Sequence, residues 1–120
     1  DPTKKVIHMS DIADLGKVVV GAFLSPEKVG QGSYLALATE LNSFNDVIEK
    51  YKANGKVYSF TQVPDDLFST FFEGAKEISE MMAYFENFSY MGPDSEINIQ
   101  QANAVSTESF KSLDEWIKQN

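Results

Sequence analysis

A strand, a capped helix, a turn and a second strand follow one another in the first third of this chain, and this order most constrains its fold. Residues 5–9 form a short apolar run that predicts a strand. Residues 33–39 are apolar on both alternating faces, as expected for a strand covered on both sides. Between them a helix begins after Asp11 and ends before Pro26. This order is typical of α/β nucleotide-binding proteins, yet no nucleotide-binding turn accompanies it.

Two aspartates near the start of that helix allow two interpretations. Asp11 is a predicted N-cap, and Asp14, three residues later, can act as the acidic partner of a capping box. The pair could also serve as two carboxylates for acid–base chemistry. Because the cap positions require this residue type and explain both residues, we predict that Asp11 and Asp14 have structural roles.

The rest of the chain predicts one more strand and several helices, defined by apolar spacing, caps and breakers. The predicted elements are a helix over 43–53, a strand over 56–63, helices over 64–72 and 75–88, and a last helix after Ser112, which forms a capping box with Glu115. Residues 95–105 are ambiguous. The sequence thus predicts a single α/β or α+β domain over residues 1–120, with about three short strands and four to five helices.

Composition excludes several classes of function. The net charge is −8, which repels phosphate backbones and anionic lipid, so we expect neither nucleic acid nor membrane partners. The chain has no cysteine, which rules out disulfides and thiolate sites and agrees with a cytoplasmic location. No apolar stretch approaches the roughly 20 residues that span a bilayer.

Residues with catalytic or ligand-binding chemistry are few. His8 is the only histidine, so it is either a structural residue, which we favour, or a group that faces a ligand from a strand end. The turn Gly30-Gln-Gly32 begins like a phosphate loop, but Leu35 occupies the third glycine position and no helix opens there. We therefore predict no catalytic, cofactor-binding or metal-ligating residue in this chain.

Aromatic and methionine side chains are densest between residues 71 and 91. Such clusters usually form a core or a subunit contact, but they also line adaptable apolar ligand clefts. If a cleft is present, it opens at the end of the first strand. The residues predicted for this substrate or partner cleft are His8, Met9, Phe72, Met81, Met82 and Phe85.

Several blocks of the sequence resemble, in order and spacing, the C-terminal portion of NmrA-like proteins, which are atypical members of the short-chain dehydrogenase/reductase superfamily. The resemblance covers residues 6–119. Its blocks are Met9–Val19, Ser25–Gln31 with the helix opening Ser43–Val47, the Gly-Ala-Lys-Glu helix within Phe72–Phe85, and the ending Ser109–Ile117.

The resemblance implies a Rossmann-like fold and, for a full-length parent, NADP(H) bound by an N-terminal Rossmann half with a glycine-rich turn. Many family members lack the Tyr-x-x-x-Lys pair and act as redox sensors or transcriptional co-regulators, whereas related proteins are reductases. The glycine-rich half is absent from these 120 residues, and none of the five tyrosines has a lysine four positions later. We therefore expect no cofactor for this chain and no activity for it as an isolated fragment.

Three functions follow. The first is a non-catalytic substrate-side or partner-binding region of an NmrA-like, NADP(H)-sensing regulator. The alternatives are the same region of an active NADPH-dependent reductase, or a stand-alone processed module with an unrelated binding role. Because the strands would leave edges and apolar side chains uncovered, notably Leu35, Leu37 and Val57, we also expect self-association through strand edges, with a protein partner as a further possibility.

Overall fold

The computed structural model describes residues 1–30 and 32–120. Within these residues it contains a two-stranded sheet and six α-helices, a mixed α and β architecture that confirms the predicted fold class. The elements are β1 (Ile7–Met9), α1 (Leu15–Leu24), β2 (Glu40–Asn42), α2 (Phe44–Ala53), α3 (Asp65–Phe68), α4 (Ala75–Phe88), α5 (Ser95–Val105) and α6 (Leu113–Gln119). Single 3₁₀ turns precede and follow α1.

The two strands pair antiparallel, with His8 opposite Leu41. The strand predicted over 5–9 is confirmed in its last three residues, Ile7–Met9. Beyond β1, the backbone N–H of Val6 donates to the Asn42 carbonyl at 3.1 Å, and the Val6 carbonyl accepts from the backbone N–H of Tyr90 at 2.8 Å. The sheet is therefore short, and the chain after α4 reaches one of its edges.

The strand predicted over residues 33–39 is wrong. Strand pairing begins only at Glu40, and the segment before it crosses from the sheet to α5. The backbone N–H of Thr39 donates to the Met9 carbonyl at 2.9 Å, whereas that of Ala36 donates to the Asn98 carbonyl at 3.2 Å. Its hydrogen bonds are thus divided between two elements, and no ladder forms. The turn predicted at 30–32 includes Gln31, which lies outside the described residues.

The strand predicted over residues 56–63 is also wrong. These residues have the alternating pattern of a strand but no neighbouring strand, and they follow α2 as an irregular segment. The Tyr58 ring meets Tyr51 edge-on at 5.1 Å, and the Phe60 ring stacks on Phe44 at 5.1 Å. Aromatic contacts with a helix therefore replace the sheet pairing that the β-rich sequence favours.

The helix predictions are confirmed more closely. The helices over 43–53 and 75–88 and the one after Ser112 occur as predicted, and both predicted serine caps form full capping boxes, Ser43 with Asp46 and Ser112 with Glu115. The helix predicted over 64–72 is shorter, ending at Phe68, and the ambiguous residues 95–105 form α5. None of the helices in the described part of the chain is long and apolar enough to cross a membrane.

Asp11 and Asp14 differ in role. Asp11 caps the 3₁₀ turn, accepting from the Ala13 N–H at 3.0 Å, and it also pairs with the Lys111 ammonium at 2.7 Å. The predicted capping-box role of Asp14 is wrong, because its side chain makes no cap bond. Its carboxylate lies 2.8 Å from Lys17 Nζ and accepts from the backbone N–H of Lys111 at 2.6 Å. With only 2% of its surface exposed, Asp14 joins the first helix to the segment before the last one.

The core is small and lies between α1 and α5, where Val18, Ala102 and Val105 are buried. A Cβ atom at Gly21 would lie 1.7 Å from the Val105 carbonyl oxygen, so glycine is required where these helices touch. Leu35 and Leu37 pack against this core, so their expected exposure is wrong, whereas Val57 is exposed as expected.

The molecule is open for its size. Its accessible surface is 8116 Å², whereas a compact monomer of 13.4 kDa exposes about 6,500 Å². Its radius of gyration is 16.8 Å, against about 14 Å for a compact domain of this length. The excess surface is about 1,600 Å², and many large apolar side chains are exposed, among them Ile12, Phe23 and Val57.

Replacing Asp14 with asparagine tests whether the buried carboxylate holds the two ends of the chain together. Asp14→Asn keeps the shape but removes the charge that Lys17 and the Lys111 amide bind. We expect the free energy of unfolding to fall by about 2 kcal/mol, measured by urea denaturation. The control Asp94→Asn, at an exposed site whose side chain makes no cap bond, is expected to change it by less than about 0.5 kcal/mol. Equal losses of stability in the two variants would contradict the role of Asp14 in joining the two ends of the chain.

Stability is expected to fall in acid. Burial opposes ionisation of Asp14, but hydrogen bonds from Lys17 and the Lys111 amide outweigh it and lower the pKa from its ordinary 3.8. The pKa of Glu40 falls below 4.5 in the same way, because burial is outweighed by the hydrogen bonds from Lys50, Asn42 and the Leu113 amide together with the charge of Lys50. A lowered folded-state pKa adds stability at neutral pH that is lost as pH falls below about 5. Urea denaturation at several pH values should show this loss, and Asp14→Asn should lose less.

Candidate functional site: an apolar cleft beside α4

A cleft of about 340 Å³ opens between α2, the irregular segment after it, α3 and α4. This volume is at the lower end of the range for small-molecule sites, about 300–1,000 Å³. Its apolar lining is formed by Val6, Phe44, Phe60, Val63, Phe68, Phe71, Ile78, Met82 and Ala83, and its polar lining by Asp1, Thr61, Gln62, Asp65, Ser79 and Glu86.

Two aromatic pairs position the wall formed by residues 56–63. The Phe60 ring stacks on Phe44 of α2, and Tyr58 contacts Tyr51 two turns further along the same helix. The Lys56 ammonium lies 5.7 Å from the centre of the Tyr51 ring. The segment is thus attached to α2 through side chains and leaves Phe60 and Val63 lining the cleft.

The opposite wall comes from α3 and α4. Pro64 precedes α3 and Asp65 and Asp66 occupy its first turn, which suits a helix start. The Phe68 ring lies 5.6 Å from that of Phe71, which also faces the cleft. Gly74, with φ of 88°, then turns the chain into α4, whose Ile78 and Met82, four residues apart, face the same side.

The charged side chains that line the cleft are all acidic. Asp65 and Glu86 contribute carboxylates, and no lysine side chain lines it. The positive charge at the lining is the N-terminal ammonium of Asp1, which lies 3.5 Å from the Glu86 carboxylate. All ten basic residues of the chain are lysines, so no arginine is present to bind a phosphate in bidentate fashion. The cleft therefore favours uncharged or cationic apolar molecules over phosphate-bearing ones.

The structure places one of the six predicted cleft residues, Met82, in this lining. Phe72 lies behind it, with its ring edge-on to Phe68 at 5.9 Å. Phe85 faces another groove, near Lys4 and Lys5, and packs on Tyr90 at 5.1 Å. Met81 and the β1 residues His8 and Met9 are not part of the lining. The prediction of a cleft around these six residues as a group remains a prediction.

His8 lies in β1, partly buried. Its Nδ1 atom is inaccessible to water and has no hydrogen-bond partner. Burial lowers the pKa of the imidazole, and the charge of Glu96 only partly opposes this. His8 is therefore neutral at physiological pH and is not placed to exchange protons with the cleft.

No group of side chains around the cleft is arranged for covalent or metal chemistry. Its lining hydroxyls, on Thr61 and Ser79, have no histidine or lysine beside them among the lining residues. In the described part of the chain, no three histidine or acidic side chains are placed together to hold a metal ion. The side chains that line the cleft are therefore suited to contacting a bound molecule.

Most of the lining was not predicted from sequence. From the sequence, Phe44 belongs to the helix predicted over 43–53 and Phe60 to the strand predicted over 56–63. One sequence pattern could have indicated part of the lining. Phe68 and Phe71 closely follow the Pro-Asp-Asp helix start, which predicts a short helix with aromatic rings exposed beside it. The match between Phe44 and Phe60 is a long-range contact that no local pattern indicates.

Comparison with known proteins identifies the family. The sequence model of the NmrA-like family matches residues 1–117. The chain belongs to the NmrA-like family. Members of this family typically bind NAD(P) and have a Rossmann-like fold. No curated protein and no solved structure matches the chain significantly.

The residues of this NmrA-like chain do not fit a dinucleotide at the cleft. The side chains that bring charge there, including Asp65 and Glu86, are carboxylates, which would repel a pyrophosphate. Two helices have a first-turn residue in the lining. One is α3, which is only four residues long and begins with two aspartates, and the other is α2, whose N-terminus is already occupied by the Ser43–Asp46 capping box. We therefore assign no cofactor contact to these residues.

Two adjacent methionines allow a matched test of the cleft. Met82→Ala should weaken binding of the neutral dye Nile red about fivefold, because apolar contact worth about 1 kcal/mol is lost. Met81→Ala, on the same helix and similarly exposed but outside the lining, should leave the affinity unchanged. Dye fluorescence titration measures both. Equal weakening by the two variants would show that the dye binds elsewhere.

Proposed function

We propose that this chain is the substrate-side or partner-binding region of an NmrA-like, NADP(H)-sensing regulator, and that it is not catalytic by itself. The observation that carries the proposal is the cleft beside α4. It is concave and mainly apolar, yet its lining holds neither a cationic side chain nor a nucleophile with a base beside it. Such a site binds a molecule without transforming it.

The chemistry of the lining defines the class of ligand. Stacked and edge-on phenylalanines, Phe60 and Phe68 among them, favour a flat aromatic ring or an aliphatic group. The carboxylates of Asp65 and Glu86 are acceptors for an N–H group or a positive charge. The expected ligand is therefore a small neutral or cationic apolar molecule, or an apolar side chain of a partner protein with a basic neighbour.

The sequence supports the non-catalytic part of the proposal. The Tyr-x-x-x-Lys pair of the reductases does not occur in these 120 residues, and neither does a glycine-rich dinucleotide turn. In this proposal NADP(H) is bound by a glycine-rich half of the kind found in the family, and the present region reads out the bound state through its own cleft. An acidic chain without cysteine suits such a role in the cytoplasm.

Calorimetric titration with NADPH tests the proposal. We expect no heat of binding from the 120-residue chain, because the lining of the cleft offers neither a cationic side chain nor a glycine-rich phosphate loop. Titration of a neutral aromatic dye into the same sample provides the positive control that the protein is folded and that its cleft is open.

Two results would contradict the proposal. Micromolar affinity for NADPH would show that this region holds a cofactor site of its own. Oxidation of NADPH by the chain in the presence of quinone or carbonyl acceptors, followed at the nicotinamide absorbance band, would favour the reductase alternative.

A further inference from the structure

The outer side of α1 is an apolar face that no other part of the chain covers among residues 1–30 and 32–120. Ile12, Phe23 and Leu24 are 79%, 83% and 72% exposed. Together with Leu15, Gly16, Val19 and Val20 they form what we call the α1 outer face. The opposite side of the helix packs on α5 through Val18 and Gly21.

This face carries no charge. Lys17, the single charged residue within α1, points away from it, pairing with Asp14 at 2.8 Å and donating to the Ser109 carbonyl at 2.8 Å. Soluble monomers rarely expose a continuous charge-free apolar surface of this kind without a partner. The protein has a net charge of −8, so two copies repel each other electrostatically. This repulsion is smallest where they meet through the uncharged α1 outer face.

The pattern of side-chain sizes along the face is complementary to itself. Gly16 lies at one end, and no atom lies within 4 Å of the position of a Cβ there. Phe23 lies seven residues later, close to two full turns, and therefore on the same side. Val19 and Val20 lie midway between them. The face thus has a gap at one end, a large ring at the other and two valines at its centre.

We propose that a second copy of this chain covers the α1 outer face, with the two α1 helices antiparallel. A two-fold axis passing between Val19 and Val20 places Phe23 of each subunit over the gap at Gly16 of the partner subunit. The same axis brings Val20 against Val20 of the partner subunit. Such an isologous contact closes after two copies, as most homodimers do.

The α1 outer face contributes three of the five most exposed large apolar side chains among the described residues, Ile12, Phe23 and Leu24. The chain as a whole exposes about 1,600 Å² more than a compact monomer of its mass. A standard protein–protein interface removes about 800 Å² from each partner. The strand edges offer less, because β1 and β2 each have three residues and Tyr90 already bonds next to β1.

Sedimentation equilibrium tests the proposal. The wild-type chain should be dimeric, and added salt should tighten the dimer because it screens the repulsion between two acidic subunits. Phe23→Glu should raise the dissociation constant at least about tenfold, because an aromatic anchor is lost and a charge is placed against apolar surface. The control Val57→Glu makes the same change of charge at a residue that is 90% exposed and outside the face, and it should not alter the dimer.

A cross-link tests the geometry with Phe23 intact. The chain contains no cysteine, so Val20→Cys introduces one thiol per subunit at the proposed two-fold axis. Mild oxidation should link this variant into a covalent dimer much faster than Val57→Cys. Circular dichroism of all variants checks that they remain folded.

Three outcomes would overturn the proposal. A wild-type chain that stays monomeric at high concentration shows that no second copy binds. A dimer that survives Phe23→Glu unchanged uses another surface, such as the strand edges. Equal cross-linking of the two cysteine variants shows that Val20 is not at the contact.

Discussion

The buried carboxylate of Asp14 is the interaction on which the rest of this structure depends. It binds Lys17 in the first helix and the backbone amide of Lys111 before the last, and so connects parts of the chain that are 97 residues apart. Lys111 also pairs with Asp11. With so little apolar surface buried, charged hydrogen bonds of this kind position α6 where hydrophobic packing alone would not.

A small core has consequences for function. Seven apolar residues are buried among those described, and three of them are alanines, so the larger apolar side chains lie in the cleft or on the surface. The cleft beside α4 and the outer face of α1 are therefore results of the same constraint. One is concave and rimmed by carboxylates, which suits a small molecule or a partner's side chain. The other is uncharged and runs along one side of a helix, which suits contact with a second helix.

The sequence predicted the features that depend on residues close together in the chain and missed those that depend on distant residues. Ser43 with Asp46 and Ser112 with Glu115 are local pairs. The capping box of Ser112 and the cap at Ser43 formed as predicted, and Asp46 completes a second box at Ser43. Residues 33–39 and 56–63 have the composition of strands, but a strand needs a neighbour, and the fold gives these segments helices instead. Met82 belongs to the cleft, whereas Phe44 and Phe60 could not have been paired from their positions in the chain.

The sequence by itself determined the family, the helices with strong caps, and the absence of reductase and dinucleotide motifs, because these depend on residue identity and short spacing. Only the tertiary structure decided that Asp14 joins the two ends of the chain, that two predicted strands remain unpaired, and that aromatic rings from three elements meet in one cleft. These outcomes depend on which distant groups satisfy each other's hydrogen bonds and apolar surface, and local sequence patterns do not encode that choice.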